Sequence, residues 1–135
     1  MIRQIRLTLD KYNYERGETT AQAVLAVPVL LLFLLFGVQV ALYFHTAQLA
    51  SFAAQEAASV GASHDGNEAM ALSSAIQWIA ESRAISTRLP IIDVADGSFQ
   101  VSVGLHVPQI IPLLPDYVVR SASEPIETYI LESDR

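Results

Sequence analysis

The sequence predicts a membrane-anchored α+β protein: a long N-terminal helix, a second helix packed on its outer half and a small antiparallel sheet. Three observations predict it. The run Ala23–Phe44 spans 22 residues without a charged side chain. The following stretch, His45–Ala62, is rich in alanine and has no proline. From Phe99 onward, apolar and polar residues alternate.

The apolar run comes first. As a helix, 22 residues reach about 33 Å, close to the hydrocarbon thickness of a bilayer. A lone segment crossing lipid must satisfy its own backbone, and only a helix does so. Apart from Tyr43 near its end, the only uncharged polar side chain in the run is Gln39. Pro28 lies inside it and bends a helix in a way membrane spans tolerate. Tyr43 and His45 stand where the helix leaves the bilayer, as interfacial residues do. Thr19 or Thr20 offers an N-cap. A cleaved secretory signal has a shorter core, about 7–15 residues. A cut after Ala47 or Ala50 would also place His45 or Gln48 where a small residue is required. The run therefore reads as a retained anchor.

Charge is polarised along the chain. Residues 1–16 carry four basic and two acidic side chains, net +2; the rest carries four basic and twelve acidic, net −8; the sum is the −6 of the whole. The positive-inside rule then places the N-terminus in the cytoplasm and the C-terminal part outside the cytoplasmic membrane. The expected organisation is a short, mobile or removed cytoplasmic leader over 1–17, the membrane half of the helix over 18–45, and an extracytoplasmic α+β domain over 46–135. An acidic exported domain excludes nucleic acid as a partner. The absence of cysteine excludes disulfides and thiolate chemistry.

Alanine favours helix over His45–Ala62, and Gly61 stands where a helix ends. A helix from about Thr19 to Ala62 would be roughly 65 Å long. His64-Asp65-Gly66-Asn67 is turn chemistry. Asn67 or Asp65 then caps a second helix to about Arg83, with Ala69, Leu72, Ile76 and Ile79 as its apolar stripe and Trp78 flanking. Pro90 breaks the pattern, and Asp96-Gly97 signals a turn. Phe99, Val101, Val103, Leu105 and Val107 then form the buried face of a strand that Pro108 ends. Gln109–Pro115 is an apolar loop, Tyr117–Ser123 a second, antiparallel strand, and Glu127–Arg135 a polar tail.

The junction Glu15-Arg16-Gly17-Glu18-Thr19-Thr20-Ala21-Gln22, followed by an apolar run with Pro28, resembles the start of TadE-like proteins, pseudopilins of the tight-adherence (Flp) pilus system. Ala53-Ala54-Gln55-Glu56-Ala57-Ala58 with Gly61-Ala62, the strand from Phe99 running into Val107-Pro108 and Ile111-Pro112, and Val119–Glu127 are similar to the family as well. The resemblance implies a pilin-like fold and a non-enzymatic role as a minor pilin or pseudopilin. It implies as partners the membrane, other pilin-like or pilus-assembly membrane proteins, and a prepilin peptidase cutting after Gly17. Glu18 would then be the first mature residue and Gln22 the fifth, where the family pattern has glutamate. In related pilins that glutamate is thought to pair with a neighbour's N-terminal amine, whereas Gln22 can only hydrogen-bond. The alternative is a single-span accessory subunit of another membrane complex, in which the leader stays on.

Nothing in the sequence resembles a catalytic constellation. His45, His64 and His106 have no metal-ligand spacing. No phosphate loop, nucleophile elbow or paired-carboxylate signature is present. Asp93 and Asp96 sit beside Gly97 as loop residues. The expectation is no enzyme, no cofactor, no metal and no small-molecule substrate. Candidate partner contacts lie elsewhere. At about 100° per residue, Glu56 falls in the stripe of Leu49, Ala53 and Val60; it either leans out to water or pairs with Arg83, Arg88, Arg120 or another subunit. Gly37 and Ala41 form a small-xxx-small pair that admits a neighbouring helix. Ile110, Ile111, Leu113 and Leu114 make an apolar loop that is costly to expose. It is either core beneath the sheet or a surface for a partner or the membrane.

Overall fold

The computed structural model describes residues 2–126, with side chains described at Thr20 and from Gln22 onward. The elements are α1 (Ile2–Ala62), α2 (Glu68–Glu81), β1 (Ile91–Ala95), β2 (Ser98–His106) and β3 (Tyr117–Pro125). Helix α1 starts at Ile2, ahead of the expected cap at Thr19 or Thr20. Residues 2–18 contain no proline, and a single glycine does not stop a helix. The expected tail Glu127–Arg135 lies outside the described residues.

The chain divides into two compact units, residues 1–38 and 39–135. The first is helical, and its described side chains are exposed and largely apolar from Ala23 to Val38, with Pro28 inside the helix. Leu30, Leu32 and Phe33 are each more than 60% exposed. A water-soluble helix would bury such residues; a lipid-facing one does not.

The second unit holds the core. The outer part of α1 presents Ala47, Ala50, Ala53, Ala54, Ala57, Ala58 and Ala62 as a buried face. It joins Ala71, Ala75 and Ile79 of α2 and Phe99, Val101, Val103, Leu105 and Val107 at β2 in one cluster. The buried stripe of α1 is therefore its alanines, with the expected Leu49 and Val60 half-buried beside it and Glu56 outside it. In α2 the stripe is likewise shifted: Ala69 and Ile76 are exposed, Leu72 is half-buried, and Ala71 and Ala75 take the buried positions with Ile79. Side-chain volume explains both shifts. Two faces of small residues approach closely and exclude water, while larger residues fill the edges. Phe52 and Trp78 do this at one edge, their ring centroids 6.3 Å apart.

Asn67 caps α2 as expected, its side chain accepting a hydrogen bond from Met70 N at 2.9 Å. Gly61 does not end α1. It lies against Phe99, and a Cβ there would overlap the ring. The helix ends one residue later, and the turn after it brings Gly66 against the carbonyls of Val60 and Gly61.

The sheet is antiparallel in the order β1-β2-β3. Asp96 (φ 52°) and Gly97 (φ 71°) both adopt left-handed backbone and join β1 to β2 in a two-residue turn, the chemistry of an Asp-Gly hairpin. The alternation expected from Phe99 to Val107 is the buried face of β2. The second expected strand is β3, paired from Tyr117↔His106 to Pro125↔Ser98. Strand β1 was not expected. Its residues alternate poorly, and only Ile92 is half-buried, so it is an edge strand with little apolar signal. Before Pro90 the chain pairs with β2 again, through His106 N to Ile85 O (2.7 Å) and Thr87 N to Gly104 O (3.1 Å). Pro90 separates these two edge segments, where a missing N–H is tolerated.

Gly61→Ala should lower stability by about 1–3 kcal/mol through overpacking against Phe99. Gly37→Ala, where a Cβ meets nothing within 4 Å, should leave it unchanged. Thermal unfolding of the full chain in detergent, followed by Trp78 fluorescence, measures both.

Candidate functional site

Gln39 is the residue on which the most distant parts of the second unit converge. It is 2% exposed. Its Nε2 donates to Pro108 O at 3.2 Å. Its Oε1 accepts from Ile110 N at 2.7 Å and, more weakly, from Ile111 N at 3.4 Å. A buried amide with no partner is costly; here donor and acceptor are both used. The one amide of the apolar run thus ties α1 to the apolar loop some 70 positions later in the chain. The sequence showed Gln39 as an anomaly in an apolar run, but its partners are backbone groups, and no residue type advertises them.

The loop is closed internally as well. Val107 N donates to Asp116 O (2.7 Å) at its base, Leu114 N to Ile111 O (3.3 Å) within it, and Gln109 Nε2 to Leu114 O (2.7 Å) across it. It does not fold beneath the sheet as core. Ile111 and Leu114 are half-buried, Ile110 is exposed, and Leu113 at the tip is 92% exposed. Gln39 holds the backbone at the side of α1, and the prolines at 108, 112 and 115 fix φ at three positions of the turn.

The other candidates are separate from this loop. Gly17 and Glu18 lie in α1, their side chains outside the described residues. Gln22 is exposed, in an open hollow lined by Leu25, Ala26, Val29, Leu30 and Phe33. Gly37 meets nothing nearby, and Ala41 is exposed. Glu56 is exposed in an open groove with Phe52, Gln55, Ser59, Trp78 and Glu124. Arg83, Arg88 and Arg120 do not line that groove. Arg120 instead donates to Val119 O at 3.0 Å. His45 and His64 are exposed and His106 half-buried. Among the described residues no group of three or more His, Cys, Asp or Glu side chains is placed to hold a metal ion.

These features define a class: an α+β protein whose N-terminal helix is long and apolar enough, over Gln22–Ala62, to cross a membrane by length and composition. The model of the TadE-like protein family matches residues 17–59. The match runs from Gly17 into the alanine face of α1 and covers about a third of the chain. No curated protein and no solved structure matches the chain.

Gln39→Leu should strip both hydrogen-bonding atoms from the loop, leaving amides unpartnered at a cost of about 1–3 kcal/mol. Hydrogen exchange checks this: the amides of Ile110 and Ile111 should lose protection, while those in the β2–β3 ladder keep theirs.

Proposed function

We propose that the protein is a non-enzymatic structural or assembly component of a tight-adherence type pilus or related secretion system, a TadE-like minor pilin or pseudopilin. One observation carries this reading: the TadE-like match covers the segment in which an exposed apolar helix gives way to an alanine face that supports a small domain. A helix of this kind packs against lipid or other apolar helices along its first half. Its second half displays the domain. The excess of positive charge before the anchor supports an N-terminus in the cytoplasm and a C-terminal domain outside the cytoplasmic membrane. The partners this reading requires are other pilin-like membrane proteins, with Gly37 and Ala41 as a close-approach site and the Glu56 groove facing the outside.

Removal of the leader after Gly17 belongs to the same proposal. It would leave Glu18 at the new N-terminus and Gln22 in the fifth position. Gln22 brings an uncharged amide where a charge pair would otherwise join neighbours, and this supports a second reading, a single-span accessory subunit of another membrane complex.

Mass spectrometry of the protein from its host should find Glu18 as the N-terminal residue; an intact N-terminus defeats the processing claim and leaves the anchor standing. A host strain lacking the chain should lose pilus material from its sheared surface fraction. Unchanged piliation would favour the accessory-subunit reading.

A further inference from the structure

We infer that the loop Pro108–Pro115 is a membrane-contacting wedge, seated in the headgroup–acyl boundary of the leaflet on the side of the C-terminal domain. The inference rests on the reading of Ala23–Phe44 as a membrane anchor.

The level of the loop follows from Gln39. That residue lies five positions before the end of the apolar run, about 7.5 Å along a helix. Its amide holds the backbone of Pro108, Ile110 and Ile111. The loop is thus fastened beside α1 at a level within the apolar run, not beyond it. If the run fills the bilayer, the loop reaches the boundary where lipid headgroups give way to acyl chains.

The loop has the composition that such a site requires. Residues 107–115 contain no charge. Leu113 is 92% exposed and Ile110 45% exposed, an apolar tip that water would penalise. Its backbone asks little of water. Three of its eight residues are prolines without an N–H, and of the other five, Ile110, Ile111 and Leu114 donate within the protein. Few free donors is the condition for placing irregular backbone near lipid. The surroundings agree with this level. Tyr117, which opens β3 one residue beyond the loop after the exposed Asp116, is 59% exposed, and Ile85, bonded to the same end of β2, is 65% exposed. Tyr43 and His45 of α1 stand at the end of the apolar run. Aromatic and amphipathic side chains gathered at one level mark a membrane interface. The loop therefore gives the domain a lipid-contacting surface of its own.

The test uses the full chain in phosphatidylcholine vesicles whose acyl chains carry bromine near the headgroup or near the bilayer centre. Single tryptophans are placed by Leu113→Trp and by Phe33→Trp, each in a Trp78→Phe background, with the wild-type Trp78 as the domain reference. Leu113 is exposed, so its replacement does not disturb packing. Interfacial seating at about 5–10 Å depth predicts that shallow bromine quenches the Leu113→Trp emission at least about twofold more than that of Trp78, and more than deep bromine does. Phe33→Trp should be quenched most by deep bromine. If Leu113→Trp is quenched no more than Trp78 while Phe33→Trp responds, the wedge is refuted and the anchor stands. A blue-shifted Leu113→Trp emission shielded from bromine in both positions would mean that another protein surface covers the loop, which also overturns the proposal. If Phe33→Trp is itself unquenched, the anchor reading and the wedge fall together.

Discussion

The alanine face of α1 is the constraint on which the folded unit depends. Seven alanines from Ala47 to Ala62 are buried there, and none brings a side chain long enough to hold its neighbours at a distance. The sheet and α2 can therefore approach the helix closely. Most of the larger side chains of the cluster, Phe99, Val101, Val103, Leu105 and Val107, come from the opposing strand and its extension. Each such burial contributes about 1.5–3 kcal/mol. The helix supplies a flat surface and the strand supplies the volume. Gly61 extends the logic to its limit, where the Phe99 ring occupies the space a Cβ would need. Alanine also serves the helix, since it is the residue that favours helix most. One residue type thus stabilises the backbone of α1 and shapes its packing.

The second constraint is the fixed point at Gln39. Strand β2 ends at His106 and the chain must return to begin β3 at Tyr117. The turn between them carries apolar side chains and little capacity for hydrogen bonding. Left to the sheet alone, its backbone would be anchored only at the Val107–Asp116 base and by the short bonds within it. Gln39 joins it to the helix, using both ends of one amide. The same bonds resolve the cost of an amide in an apolar run. A leucine at this position would avoid burying an amide, yet would leave the loop without its tie.

Most of the fold was legible because its signals are local. Twenty-two residues without charge, an Asn before an amphipathic stretch, an Asp-Gly pair and a period of two each report the conformation of the segment that carries them. Each expected stripe holds one residue of the buried face, Ala53 and Ile79, and its other members miss the centre of that face for a shared reason. Hydrophobicity singled out Leu49, Val60, Leu72 and Ile76, whereas the buried faces were chosen by smallness, with Ala50, Ala54, Ala71 and Ala75 fully enclosed. Periodicity finds the face of a helix, but volume complementarity selects its centre, and that depends on the partner. Strand β1 escaped notice because an edge strand buries little. The placement of Ile110 and Leu113 was undecidable from their composition, which suits core and interface equally.

By itself, the sequence determined the apolar helix, the extension of that helix beyond the apolar run, the second helix with its Asn67 cap, the strand from Phe99 and the polarity of charge. Each is a property of a segment and its neighbours a few residues away. Only the tertiary structure decided that alanines form the contact surface, that Gly61 makes room for Phe99 and that Gln39 grips the backbone of the loop. Those outcomes rest on pairs of residues some 40 to 70 positions apart. Their chemistry is shape and backbone hydrogen bonding, which leave no periodic or compositional trace in the chain.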